Sequence, residues 1–237
     1  MTKVIFLHHS TGQAIWNGKT NRYVRKLTKK SDIKTFFNQY NRKNKANILI
    51  TEQSFPKDRA NYPYDYYDIW VKNEGDSPYM SDPTLEILTK EYNIVIFKHC
   101  FPGSEILEDT GNPNIDSNEK RLENYKLQYS ALKEKMLKFP ENKFILWTPA
   151  VHVKHNLSNE EALRTRELHK WLMEEWDGKG DNIFLWDFYM YETEGGLFLK
   201  DEYARNPGDS HPNMEFSGKV APLFAKFIID VAKGEIE

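Results

Sequence analysis

Val4-Ile5-Phe6-Leu7-His8-His9-Ser10-Thr11-Gly12 is the stretch on which the fold turns. Four consecutive apolar residues predict a strand covered on both faces, since a strand with one wet face would alternate. The polar residues and glycine that follow predict a sharp exit into a helix. The same short apolar run recurs at residues 48–50, 94–97, 144–147 and 183–186. These intervals are too long for hairpins.

Helical periodicity fills several of the gaps. Residues 118–139 place Leu122, Tyr125, Tyr129, Leu132, Met136 and Phe139 three and four apart, and Pro140 stops the run. Ser158 and Glu161 have the spacing of a capping box. Leu168, Trp171, Leu172 and Trp176 follow as the buried side, with Gly178 and Gly180 at the end. A last helix is expected over residues 216–232, with Val220, Phe224, Phe227, Ile228 and Val231 on one side and Pro222 in its first turns. Strands alternating with helices predict an α/β three-layer sandwich around a five-stranded parallel sheet. The expectation is one domain over residues 1–237, with an irregular, aromatic-rich insertion at about 55–83.

Composition narrows the function classes. Hydrophobic residues make up 39% and charged residues 29% of the 237, which excludes a disordered chain. With 33 basic against 35 acidic residues the net charge is −2, so a general grip on nucleic acid or an anionic membrane is not expected. The single cysteine, Cys100, excludes an intrachain disulfide and a multi-cysteine zinc site. No apolar run reaches the ~20 residues of a membrane helix. The N-terminal apolar run is too short for a signal peptide, so the chain as written reads as cytoplasmic, although removal of an export signal would leave the same sequence.

Ligands of an open parallel sheet bind at the carboxyl ends of its strands. There the sequence sets His8, His9 and Ser10 after the first run, and Lys98, His99, Cys100 and Ser104 after the third. His152 and His155 follow the fourth, and Asp209 and His211 precede the last helix. Six of the 7 histidines fall at this rim; His169, inside a helix, is the exception. Ser10 with His211 as base and Asp209 as its orienting acid would make a nucleophilic site. The bland alternatives are a helix N-cap for Ser10 and a turn residue for Asp209.

In the order of these blocks the chain resembles the SGNH (GDSL-type) hydrolase superfamily. The resemblance rests on residues 4–12, the run Phe144-Ile145-Leu146-Trp147-Thr148-Pro149, the run Ile183-Phe184-Leu185-Trp186-Asp187, and Asp209-Ser210-His211-Pro212-Asn213 with Gly218 beyond. It implies a flavodoxin-like fold and serine esterase chemistry, with Ser10 as nucleophile, His211 as base and Asp209 as acid. It implies no cofactor.

The departures are specific. His8-His9 stands where the family has Gly-Asp, and no glycine follows the second strand, at Thr51-Glu52-Gln53-Ser54-Phe55. Lys98-His99-Cys100 replaces the Gly-x-Asn block, so Cys100 stands where the oxyanion asparagine would be. Asp and His are two apart, where the family has three. Each missing oxyanion donor would cost about 3–4 kcal/mol of transition-state stabilisation. Candidate replacements or substrate contacts are His9, Ser54, Lys98, His99, Cys100, Ser104 and Trp16.

The expected function is hydrolysis of a carbohydrate or small acyl ester. Stacking of a sugar on Trp16, Tyr62, Tyr64, Tyr66, Tyr67 and Trp70 competes with a plain packing role for those rings. Two alternatives are a catalytically impaired glycan-binding protein, and a metal-dependent hydrolase using His8, His9, His99, Asp209 and His211.

Overall fold

The computed structural model describes residues 1–21, 27–28 and 30–236. β1 (Thr2–His8) runs directly into α1 (Ser10–Asn17), followed by α2 (Asp32–Asn44) and β2 (Ile48–Ser54). α3 (Pro63–Tyr67) continues as a π-helical turn (Asp68–Lys72), and α4 (Leu85–Glu91) precedes β3 (Ile94–Phe97). α5 (Leu122–Leu137), β4 (Lys143–Trp147), α6 (Asn159–Trp171) and β5 (Ile183–Trp186) complete the alternation. After α7 (Phe188–Thr193) come β6 (Ala204–Asn206), β7 (Asp209–Pro212) and α8 (Met214–Lys233).

The five-stranded sheet is wholly parallel, in the order β2-β1-β3-β4-β5. Alternation along each strand splits the core in two. Val4 and Phe6 face a cluster built with Ile15, Trp16, Phe37 and the α8 residues Val220, Phe224 and Ile228. Ile5 and Leu7 face Tyr66, Trp70, Leu88, Tyr125 and Leu168 on the other side. Both faces are covered, which is why the strands read as unbroken apolar runs. Strand order reverses around β1, the point at which open parallel sheets commonly place a ligand beyond the carboxyl ends of the strands.

Several sequence expectations need correction. α5 starts at Leu122, not residue 118, because the preceding chain is held extended: Leu107 N donates to Lys120 O at 2.6 Å. The capping box forms in both directions, Ser158 Oγ accepting from Glu161 N and Glu161 Oε2 from Ser158 N. α8 begins at Met214 because Asn213 Oδ1 caps it through Phe216 N at 2.8 Å. Pro222 therefore lies well inside the helix, on its exposed side, where the carbonyl it leaves unpaired can meet water.

The 55–83 stretch is not a plain loop. It carries α3 and the π-helical turn, and its large rings are core. Tyr66 and Trp70 are both 0% exposed, and Trp70 stacks on Phe55 with centroids 5.4 Å apart. Tyr62 and Tyr67 are buried too, and Tyr64 is half-buried. Tyr62, Tyr66, Tyr67 and Trp70 are therefore packing residues, and a sugar platform is not available on them. Among the described residues no helix is long and apolar enough to cross a membrane.

Candidate active site

Ser10 is the first residue of α1, and His9 is its cap residue. His9 makes no side-chain bond to the first turn, so the plain N-cap role for Ser10 does not hold. The first-turn N–H groups receive no side-chain cap, and the helix dipole favours negative charge at this end. Ser10 is exposed, and its hydroxyl makes no hydrogen bond among the described residues. Gly12 is required for this close turn: a Cβ at that position would lie 2.4 Å from His8 Cβ.

Asp209 and His211 lie on β7, which pairs antiparallel with β6. A strand repeats every two residues, so both side chains leave the same face. Asp209 Oδ1 accepts from His211 Nδ1 at 2.5 Å and from His211 N at 2.9 Å. Burial alone would raise the Asp209 carboxyl, but the backbone and ring of His211, with Arg205 beyond, outweigh it and hold it below the usual range. Ser210, between them, faces inward, where its Oγ meets His152 Nδ1 at 3.0 Å and accepts from Val153 N at 3.2 Å. Phe101 stands edge-on to His211 and to His152, with centroids 4.9 and 4.8 Å away.

β7 packs against α1, which brings the His211 strand beside the Ser10 helix. No direct hydrogen bond joins Ser10 Oγ to the His211 ring among the described residues.

On the β2 side of Ser10 opens a cavity of about 580 Å³, lined by side chains that include His9, Gln13, Glu52, Gln53 and Ser54. β1 and β2 pair in register, His8 opposite Ser54 and Phe6 opposite Glu52. Glu52 Oε2 meets His8 Nε2 at 3.1 Å and accepts from Gln13 Nε2 at 2.9 Å. His9 Nε2 donates to Pro56 O at 2.6 Å. Burial holds His9 below its ordinary value; the Pro56 carbonyl opposes this, while Lys98 and His8 add to it.

The remaining sequence candidates are corrected by burial. Trp16 is 1% exposed and packs in the core with Phe6. Lys98 is 0% exposed and donates to Cys100 Sγ at 3.0 Å, so neither presents a free group to a ligand. Ser104 Oγ is turned onto Phe101 O at 2.7 Å. His99 lies between the rings of Tyr66 and Tyr129, with neither nitrogen partnered. Burial, then Lys98, keeps His99 well below its ordinary value. Lys98, His99 and Cys100 follow β3 directly and all three are buried, His99 with Tyr66 and Tyr129 of α5 against its ring. His9 and Ser54 do line the cavity. Among the described residues no three His, Cys, Asp or Glu side chains gather as metal ligands, so His8, His9, His99, Asp209 and His211 do not converge.

Sequence reasoning missed Gln13, Glu52, Gln53 and Phe101. In-register pairing of β1 with a longer β2 would have placed Glu52 close to His8. It also missed Glu192, a fully buried acid on α7. Glu192 Oε2 accepts from Val151 N at 2.8 Å while Oε1 is unpartnered. Burial pushes the Glu192 carboxyl up to about 8, against the pull of the Val151 N–H and Lys98.

No protein-family model matches the chain, and no curated protein matches it. Among solved structures, a gut microbial diltiazem-metabolizing enzyme is similar over 95% of this chain, with 13% identity and a TM-score of 0.52. The match covers 46% of that enzyme's chain, so this chain spans less than half its length. A carbohydrate esterase, whose active site displays divergent catalytic and non-catalytic binding functions, matches over 96% of this chain and 68% of its own, with 12% identity and a TM-score of 0.42. At 13% identity the likeness to the first of these is one of fold: an α/β protein with a five-stranded parallel sheet flanked by helices.

Proposed function

We propose that this chain is an SGNH-like ester hydrolase acting through Ser10, His211 and Asp209. The observation that carries the reading is the Asp209–His211 pair on β7, packed beside a helix that begins, uncapped, at an exposed serine. Asp209 fixes the tautomer of His211 by accepting from Nδ1, which leaves Nε2 as the base. On approach of an ester, Ser10 Oγ attacks the carbonyl carbon and His211 takes its proton. The first-turn N–H groups of α1 receive the oxyanion, a role the missing glycine and asparagine cannot fill. His211 then protonates the departing alcohol, and water releases the acyl group from Ser10 by the same steps in reverse.

The polar cavity beside Ser10 suits an acylated carbohydrate or another small polar ester. Likeness in fold to an enzyme that metabolizes a small organic molecule agrees with a small substrate.

The test is covalent and kinetic. A fluorophosphonate should label Ser10, and Ser10→Ala should reduce hydrolysis of 4-nitrophenyl acetate by about 10³-fold or more. His211→Ala should do nearly the same. Labelling elsewhere, or an unchanged Ser10→Ala rate, would defeat the proposal; sugar binding with no turnover would favour a binding protein.

A further inference from the structure

The cavity beside Ser10 has an unusual lining. Small-molecule sites of about 300–1,000 Å³ are mostly apolar, with few polar groups. This one, at about 580 Å³, is lined by His, Ser, Gln and Glu side chains and by no aliphatic or benzenoid side chain. Water held on those side chains must be displaced by any ligand, and the polar groups then need new partners. A ligand that carries its own hydrogen-bond donors and acceptors would replace that water group for group.

Glu52 gives the lining a direction. Its carboxylate is held by one oxygen only: Oε2 meets both His8 Nε2 and Gln13 Nε2, at 3.1 and 2.9 Å. Oε1 makes no hydrogen bond among the described residues, and the side chain is 25% exposed. A fixed carboxylate with one free oxygen accepts hydrogen bonds and donates none, so it selects an O–H or N–H donor. On the ester-hydrolase reading, that donor is a hydroxyl of the alcohol part.

We propose that Glu52 is a specificity-determining residue whose Oε1 accepts a hydroxyl of the alcohol part of the ester, so that the substrate is an acylated sugar or polyol. This rests on the ester-hydrolase reading for its name but not for its test. Loss of a hydroxyl that a site is built to bind discriminates strongly, because the site's own polar group is then left unpaired.

The experiment measures binding without turnover. Ser10→Ala protein is titrated calorimetrically with mono-O-acetylated methyl glucoside, galactoside and xyloside, and with acetylcholine. For the tightest glycoside, analogues each lacking one hydroxyl are compared. The expectation is that one deoxy analogue binds about tenfold more weakly, and that in Ser10→Ala/Glu52→Gln the same deletion costs less than about threefold. Glu52→Asp, which keeps the charge but withdraws the oxygen, repeats the comparison if the Gln variant does not melt cooperatively. The proposal is overturned if no glycoside binds, if acetylcholine binds tighter than all of them, or if every deoxy analogue weakens equally in both proteins. Absence of Ser10-dependent hydrolysis in the wild type would sink the hydrolase reading and leave this comparison standing.

Discussion

At the scale of single residues, Glu192 makes a measurable claim about pH. Its ordinary value is 4.5, and in the fold it rises to about 8. Below pH 4.5 the acid is protonated in both states and costs nothing. Between 4.5 and 8 the unfolded chain ionises while the folded one does not, so stability falls across that window and levels above it. Glu192→Gln should abolish this slope, gaining on the order of 4 kcal/mol at pH 8 relative to wild type. Urea unfolding at pH 4.5 and 8 checks it; equal slopes in the two proteins would refute it. Gly12→Ala should cost roughly 1–3 kcal/mol, because His8 must move to admit the methyl group. A thermal melt reads that change, and an unaltered Tm would count against the close turn. Ser10, Asp209 and His211 were legible as candidates because chemistry of that kind needs particular residue types. Glu52 was not, because a glutamate in a polar stretch carries no signal until strand register sets it diagonal to His8 on the neighbouring strand.

At the scale of elements, the five sheet strands were legible because each is apolar on both faces. β6 and β7 were not: they are three and four residues long, mostly polar, and have no apolar repeat. That miss matters, since β7 explains the Asp209–His211 spacing that departs from the resembled family. The aromatic-rich α3 region reads in the sequence as an irregular insertion, with packing favoured over a ligand platform, whereas it carries a helix and a π-helical turn. Burial decides for packing, since Trp70 Nε1 donates to Pro83 O and its ring meets Phe55, Tyr66 and Phe97. Trp70→Ala should therefore destabilise by about 3–5 kcal/mol in urea unfolding. Its retained folded fraction should bind acetylated glycosides as wild type does; a selective loss of binding would restore the platform role.

At the scale of the whole molecule, stability should be graded across the sheet. β1, β3 and β4 are flanked by strands on both sides, β2 and β5 lie at the edges, and β6 with β7 form a separate pair. Native-state hydrogen exchange should be slowest in β3 and at least about a hundredfold faster in the β6–β7 pair. Equal protection in β3 and β7 would contradict this. The overall architecture was foreseeable because it follows from where apolar residues recur. The site was only half foreseeable, because the burial of Lys98, His99 and Cys100 is a property of three-dimensional packing.

The two-residue spacing on β7 also sets an order of failure. Asp209 and His211 find each other within one strand, whereas α1, which begins at Ser10, is related to that strand only by packing. The β6–β7 pair should open ahead of the main sheet, so mild denaturant would undo both relations before the global transition. Under the proposed function, hydrolysis should then fade while the five-stranded sheet still stands: the site would go before the fold that carries it.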